Sequence, residues 1–95
     1  GLVLRLGGER FQQRNLSLTA QARAAEVELT MIASVALSQG ATELIVETDA
    51  QVVRQFLNDP LNVVGKTEEL RLLREEMRQD LAAQIIRRIT HSLGN

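Results

Sequence analysis

The chain has 95 residues, of which 44% are hydrophobic and 24% are charged, and its formal net charge at pH 7 is −1. This composition is that of one ordinary globular domain, and it excludes a disordered or fibrous chain. Cysteine is absent, which excludes a disulfide framework, a zinc site built from thiolates and a cysteine nucleophile.

No apolar run approaches the roughly 20 residues that are needed to cross a bilayer. The chain also opens without a basic segment followed by an apolar one, the pattern of a secretory leader. We therefore expect a cytoplasmic protein with no membrane partner. Ten of the eleven basic residues are arginine, which can bind phosphate through two parallel hydrogen bonds, so a local phosphate-binding patch is compatible with the balanced charge.

Two strands are predicted at the start of the chain. Residues 1–6 are rich in strand formers, and residues 10–18 form a second, more polar strand. Gly7-Gly8 supplies a two-residue turn of the kind that joins hairpin strands. The sequence begins inside the first strand without a preceding loop, so we expect an upstream segment to be missing.

Residues 19–39 are predicted to form the main helix, because apolar residues recur at helical spacing. They form two stripes, one of Ala25, Leu29, Ile32, Ala33 and Ala36, the other of Val27, Met31 and Val35. A helix that is apolar over much of its circumference is buried on more than one side, which makes Leu29, Met31 and Ile32 predicted core residues. Glu26 lies beside small residues, which would let its carboxylate approach neighbouring backbone. Alternatively, it is a solvated acid in the first turn that favours the helix dipole.

A short apolar strand over residues 43–48 ends at Asp49 and leads into a predicted helix over residues 50–58. In open α/β sheets, ligands and metals gather at the carboxyl ends of strands, so Asp49 is a candidate site residue. The alternative is structural, because Thr48 and Gln51 have the spacing of a capping box that begins the helix.

A further helix over residues 67–80 and a last strand over residues 83–90 complete the predicted elements. The outer face of this helix has mixed charge and is interpreted as a solvated surface. This face comprises Arg71, Arg74, Glu75 and Arg78. His91, the only histidine in the sequence, is either an acid or base in a catalytic site or a surface residue.

Three stretches, in this order, resemble ribonuclease H of the bacterial and plant type. They are Gly-Leu-Val-Leu-Arg at the start, Ala25-Glu26 in the long helix, and Glu47-Thr48-Asp49-Ala50-Gln51-Val52-Val53-Arg54 across the junction from strand to helix. The last stretch is similar to the family's Thr/Ser-Asp-Ser-Gln-x-Val, with Ala50 as the departure. The likeness spans nearly the whole chain.

The resemblance implies an α/β fold, with a ribonuclease H-like mixed sheet and helices on both faces. The elements predicted from the sequence follow the order strand, strand, helix, strand, helix, helix, strand. It also implies a metal-dependent endonuclease that hydrolyses the RNA strand of RNA–DNA hybrids with Mg²⁺ or Mn²⁺. A pair of such ions activates the attacking water and stabilises the leaving oxygen.

The same resemblance implies the site residues. By position, Glu26 and Asp49 match two of the family's four metal-binding carboxylates, and His91 matches a histidine that assists proton transfer. These three residues are therefore the expected catalytic residues. Arg23 and Gln51 are expected to contact the RNA–DNA hybrid or another nucleic acid, with Arg23 binding a phosphate.

The family's first and last carboxylates would lie before Gly1 and after Asn95. We therefore expect residues 1–95 to be a single ribonuclease H-like domain that is incomplete at both ends, with the complete protein as the hydrolase. A further segment or another chain is expected to complete the sheet. The alternative is a non-catalytic ribonuclease H-like module that serves interaction or scaffolding, since fold alone does not imply function.

Overall fold

The computed structural model describes residues 1–16, 25–58 and 63–94. Over these residues, an antiparallel sheet of four strands precedes one long helix. The elements are β1 (Leu2–Leu6), β2 (Arg10–Asn15), β3 (Ala25–Gln39), β4 (Thr42–Asn58) and α1 (Val63–Gly94). This order, and the absence of parallel pairing among the described strands, make the predicted ribonuclease H-like fold wrong.

The central strand is β3, because the other strands of the sheet all pair with it. β4 follows one edge of β3 along its whole length. β1 and β2 share the opposite edge, where β1 pairs with residues 35–39 and β2 pairs with residues 27–32. The described part of the chain is long and narrow, with extents of 57 × 22 × 21 Å.

A bulge, not a turn, separates β1 from β2. Both strands run antiparallel to β3, and residues 7–9 lie opposite only two residues, 33 and 34. Gly7 donates its backbone N–H to the Ser34 carbonyl at 2.9 Å, so the hydrogen-bond ladder continues into the bulge. The predicted hairpin turn at Gly7-Gly8 is therefore wrong. The glycine pair instead lets one edge of the sheet accommodate an extra residue.

Gly7→Ala should destabilise the fold by about 1–3 kcal/mol, because the added methyl group would force the Ser34 side chain to move. A Cβ at residue 7 would overlap the Ser34 Oγ and lie 3.3 Å from the Ser34 Cβ. Urea unfolding measures the loss. Gly8→Ala is the matched control, since a Cβ there would meet no atom within 4 Å. Equal effects of the two substitutions would contradict the close approach of the bulge to β3.

The turn between β3 and β4 is formed by Gly40 and Ala41, which follow Gln39 and precede its partner Thr42. Gly40 has a φ of 60°, in the left-handed region that glycine adopts at little steric cost. Near this turn the register between the strands shifts twice, whereas pairing over residues 48–58 of β4 is regular. The regular part of the hairpin is the part that α1 covers.

The core lies between α1 and one face of the sheet. Met77, Leu81 and Ile85 recur at intervals of four residues and form the buried stripe of the helix. They cover alternate residues of the two long strands: Val27, Leu29, Met31, Ala33, Val35, Ala50 and Val52. The other face of the sheet has no helix over it in the described ranges. The described helix lacks the apolar stretch that crossing a membrane requires.

The predicted main helix is wrong over its described part, because residues 25–39 form β3. The odd-numbered residues from Val27 to Val35 are buried, and the even-numbered ones point to the open face, which is the period of a strand. Leu29 and Met31 are fully buried, whereas Ile32 is only partly buried. The predicted start of this helix, residues 19–24, lies outside the described residues.

The later elements differ from the prediction in the same way. The predicted strand over residues 43–48 and the helix over residues 50–58 are one strand, β4. The predicted helix over residues 67–80 and the strand over residues 83–90 are one helix, α1. Helices on both faces of the sheet are therefore also wrong for the described chain, because α1 lies on one face alone.

Candidate functional site

The two carboxylates that were predicted to share a metal site lie far apart. Glu26 is on β3 and Asp49 is on β4, where Asp49 pairs with Ser34. Ser34 lies eight residues beyond Glu26 along β3, which corresponds to about 26 Å at about 3.3 Å per residue. Asp49 instead accepts a hydrogen bond from Arg10 at 3.0 Å across the open face. The structure therefore does not bring these two carboxylates together.

The remaining predicted site residues do not join either carboxylate. His91 is exposed in the last turn of α1, and this helix packs on the face of the sheet opposite Asp49. Gln51 is exposed on β4, two residues beyond Asp49 on the same open face. Arg23 lies outside the described residues. The catalytic and nucleic-acid-binding roles of these residues stay predictions, and the described geometry gives them no common site.

The expected Mg²⁺ or Mn²⁺ cofactor is wrong. Among residues 1–16, 25–58 and 63–94, no three histidine, aspartate or glutamate side chains lie close enough to hold a metal ion. The physical reason is the architecture, because an antiparallel sheet distributes its carboxylates along a face. It has no shared edge where several strands end at one ligand, as a parallel α/β sheet has.

A network of charged side chains instead joins the bulge to the helix. Glu9 accepts hydrogen bonds from the Arg78 Nε at 2.6 Å and the Arg78 Nη2 at 3.0 Å. The Arg74 Nη2 approaches the same carboxylate at 3.5 Å. The Arg74 guanidinium also lies over the Phe11 ring, 4.5 Å from its centroid. The bulge thus directs the Glu9 side chain toward α1. The contacts of Arg74 and Arg78 with Glu9, and of Arg74 with Phe11, connect this edge of the sheet to α1.

This network borders a groove of about 430 Å³ between β2 and α1. Phe11 and Leu70 give the groove apolar walls, and Arg71, Arg74 and Arg78 supply cationic groups along its helical side. Arg71 is held by Glu68 at 2.7 Å and by Glu75 at 3.3 Å. The groove therefore presents apolar surface beside arginines whose orientation is fixed by carboxylates on the same molecule.

The Glu9 network should make stability depend on pH. Its hydrogen bond from Arg78 lowers the pKa of Glu9 below the ordinary value of 4.5, and the charges of Arg78 and Arg74 act in the same direction. A lowered pKa means that the stabilisation is complete above about pH 5 and is lost as the pH falls through the folded-state pKa. Glu9→Gln should therefore cost about 1 kcal/mol at neutral pH and much less in acid.

Urea unfolding of the natural chain and of Glu9→Gln, repeated from neutral pH to about pH 3, measures this difference. Glu76→Gln is the control, since Glu76 is exposed on α1 and makes no ion pair within the described part of the chain. A constant difference between Glu9→Gln and the natural chain across the pH range would contradict the assigned pairing.

Sequence reasoning missed this network because it treated the charged face of the helix as solvated. The available signal was the spacing of Arg74 and Arg78, four residues apart and therefore on one side of a helix. Glu9 gave no comparable signal. Its position depends on the bulge, which was interpreted as a turn.

The comparisons with known proteins agree with this architecture. The family model "LptE: Lipopolysaccharide-assembly" matches residues 2–89. The crystal structure of the rare lipoprotein B from Shewanella oneidensis superposes with a TM-score of 0.83 and 28% sequence identity, over 96% of this chain and 68% of that chain. No curated protein matches the chain.

These matches overturn the resemblance to ribonuclease H and the expectations that rested on it. The endonuclease activity, the non-catalytic ribonuclease H-like module, and the RNA–DNA hybrid or other nucleic acid as partner are wrong. The cytoplasmic location is also wrong, because LptE lipoproteins sit at the bacterial outer membrane. The resemblance to ribonuclease H rested on three short motifs and their order, whereas the family model matches residues 2–89 as a continuous stretch. The chain belongs to the LptE lipopolysaccharide-assembly family.

Proposed function

We propose that this chain has an LptE-type role in lipopolysaccharide assembly at the outer membrane. The observation that carries the proposal is the family match over residues 2–89. It includes every described strand and most of α1. Family membership implies lipopolysaccharide and the protein LptD as partners.

The surfaces of the molecule favour a binding role. The described residues include an open polar face of the sheet and a groove with apolar and cationic walls, and both can serve as contact surfaces. Lipopolysaccharide combines acyl chains with phosphate groups. The apolar walls of the groove match the acyl chains, and its arginines can bind phosphate once they exchange the carboxylates that pair with them in the free protein. Arginine binds phosphate through paired hydrogen bonds, and apolar walls favour acyl chains.

Complementation tests this role. The protein, expressed from its natural gene, replaces LptE in a Gram-negative bacterium whose own LptE can be depleted. We expect growth and surface lipopolysaccharide to be restored, and LptD to co-purify with the protein.

Leu29→Ala supplies the matched control in the same cells, because it damages the fold and leaves the exposed surface unchanged. It should restore growth less well, in proportion to its loss of folded protein. A stably folded natural chain that restores neither growth nor surface lipopolysaccharide would contradict the proposed role.

A further inference from the structure

The outer edge of β4 presents unpaired backbone groups, and the hydrogen bonds of the sheet identify which ones. Ser34 and Glu26 of β3 accept hydrogen bonds from Gly7 and Leu16, on the β1 and β2 side. The even-numbered residues of β3 therefore face that side in the regular part of the strand, and the odd-numbered ones face β4. Because odd residues of β3 pair with even residues of β4, the odd residues of β4 direct their N–H and C=O groups outward.

One contact agrees with this direction. The Arg54 Nη1 donates a hydrogen bond to the Val53 carbonyl at 2.9 Å, as expected if that carbonyl lies on the outer edge. The outward groups of Gln51 and Gln55 have no strand partner in the described ranges. Such an edge is a template for another strand.

This edge opens into a polar cleft of about 410 Å³ beside α1. Its helical wall includes Asp80, Gln84 and Arg87. Arg54 and Asp80 form an ion pair across the cleft. Arg87 has no ion pair or hydrogen bond with another described residue, which leaves one uncompensated positive charge in the cleft.

Gln84 adds a second unsatisfied group. Its Oε1 is buried and accepts no hydrogen bond within the described part of the chain. A buried acceptor without a donor is costly, so a donor from a bound segment would be favourable. The cleft thus combines free strand edge, a free acceptor and a free cation.

We propose that an extended segment of LptD adds to the sheet as a further strand along the outer edge of β4 and places a carboxylate beside Arg87. The inference rests on the proposed function, through which LptD enters as the partner. Backbone hydrogen bonds to Gln51, to Gln55 and to the N–H of Val53 supply the pairing, since the Val53 carbonyl already accepts from Arg54. The charge of Arg87 selects an acidic side chain.

The opposite edge of the sheet is a poorer template. The bulge at residues 7–9 interrupts it, and bulges hinder edge-to-edge pairing. The outer edge of β4 is regular over residues 48–58. It also borders the cleft that contains Arg87 and the unsatisfied Gln84 Oε1.

Hydrogen exchange at residue resolution tests the pairing, with the full protein free and in its complex with LptD. The amides of Gln51, Val53 and Gln55 should exchange at least about tenfold more slowly in the complex. The amides of Val52 and Arg54 already bond to β3, so they should change less.

Substitutions test the backbone pairing and the charge of Arg87 separately. Gln51→Pro removes an outward N–H, and Arg87→Glu reverses the free charge, so each should weaken LptD binding by about tenfold or more. Arg5→Glu, which makes the same charge change on β1, should bind as the natural chain does. Gln84→Met should weaken binding without lowering the melting temperature, because it removes a buried acceptor that has no partner in the free protein.

The outcomes distinguish this inference from the proposed function. If LptD forms no complex with the natural chain, both fail. If the complex forms but the β4 amides exchange as in the free protein, only the strand addition is overturned. Protection of these amides that rises with the concentration of the free protein would identify a second copy as the occupant and would also overturn it.

Discussion

Leu29→Ala should lower the free energy of unfolding by about 2–5 kcal/mol. Leu29 is fully buried at the centre of β3, beneath α1, and it belongs to the one core of the described residues. Truncation leaves a cavity that the strand cannot close, because neighbours on both sides hold its backbone. Urea unfolding monitored by circular dichroism measures the loss.

Leu57→Ala is the matched control, because it makes the same truncation on β4. Leu57 is 63% exposed and faces away from α1, so its loss should cost well under 1 kcal/mol. If both truncations cost the same, the alternation of buried and exposed residues in the sheet would be wrong.

Val52→Pro should destabilise the protein by about 3 kcal/mol or more, enough to unfold much of the chain. Val52 is buried and pairs with Met31, so its N–H belongs to the ladder between β3 and β4. Proline removes this donor and leaves the facing carbonyl buried without a partner. The melting temperature and the fraction of folded protein measure the effect.

Gln51→Pro provides the comparison one residue away. The N–H of Gln51 points to the outer edge, where proline is tolerated, so this variant should lose about 1 kcal/mol or less. If Gln51→Pro destabilised the protein more than Val52→Pro, the assignment of which residues of β4 face β3 would be wrong. That result would also remove the basis for strand addition there.

The sequence contains the alternation of β3, but other signals obscured it. Val27, Leu29, Met31, Ala33 and Val35 recur with period two, yet Ile32 and Ala36 fill the gaps and complete a helical pattern. Alanine, leucine, methionine and glutamate also favour helices. Pairing with three strands and packing under α1 determine the conformation of β3, and local propensity contains no information about these partners.

Asp49 misled the interpretation of β4 for a related reason. A carboxylate after an apolar run predicts the end of a buried strand in an α/β sheet. One face of an antiparallel sheet can face water, and Asp49 lies on that face beside Arg10 without interrupting the strand. The groove beside Glu9 and the cleft beside β4 could not be predicted from the sequence, because each depends on which elements are neighbours in the fold.

The length of α1 could have been predicted more closely. Met77, Leu81, Ile85 and Ile89 follow one another at intervals of four residues, which is a helical stripe that passes through the predicted strand over residues 83–90. The β-branched residues near the end of this stripe favoured a strand. Burial against β3 and β4 outweighs that preference.

Binding of lipopolysaccharide to the purified, folded protein tests the central claim most directly. The account predicts saturable binding to lipopolysaccharide, and no magnesium-dependent cleavage of an RNA–DNA hybrid by the same sample. A folded sample that does not bind lipopolysaccharide would contradict the assignment to lipopolysaccharide assembly.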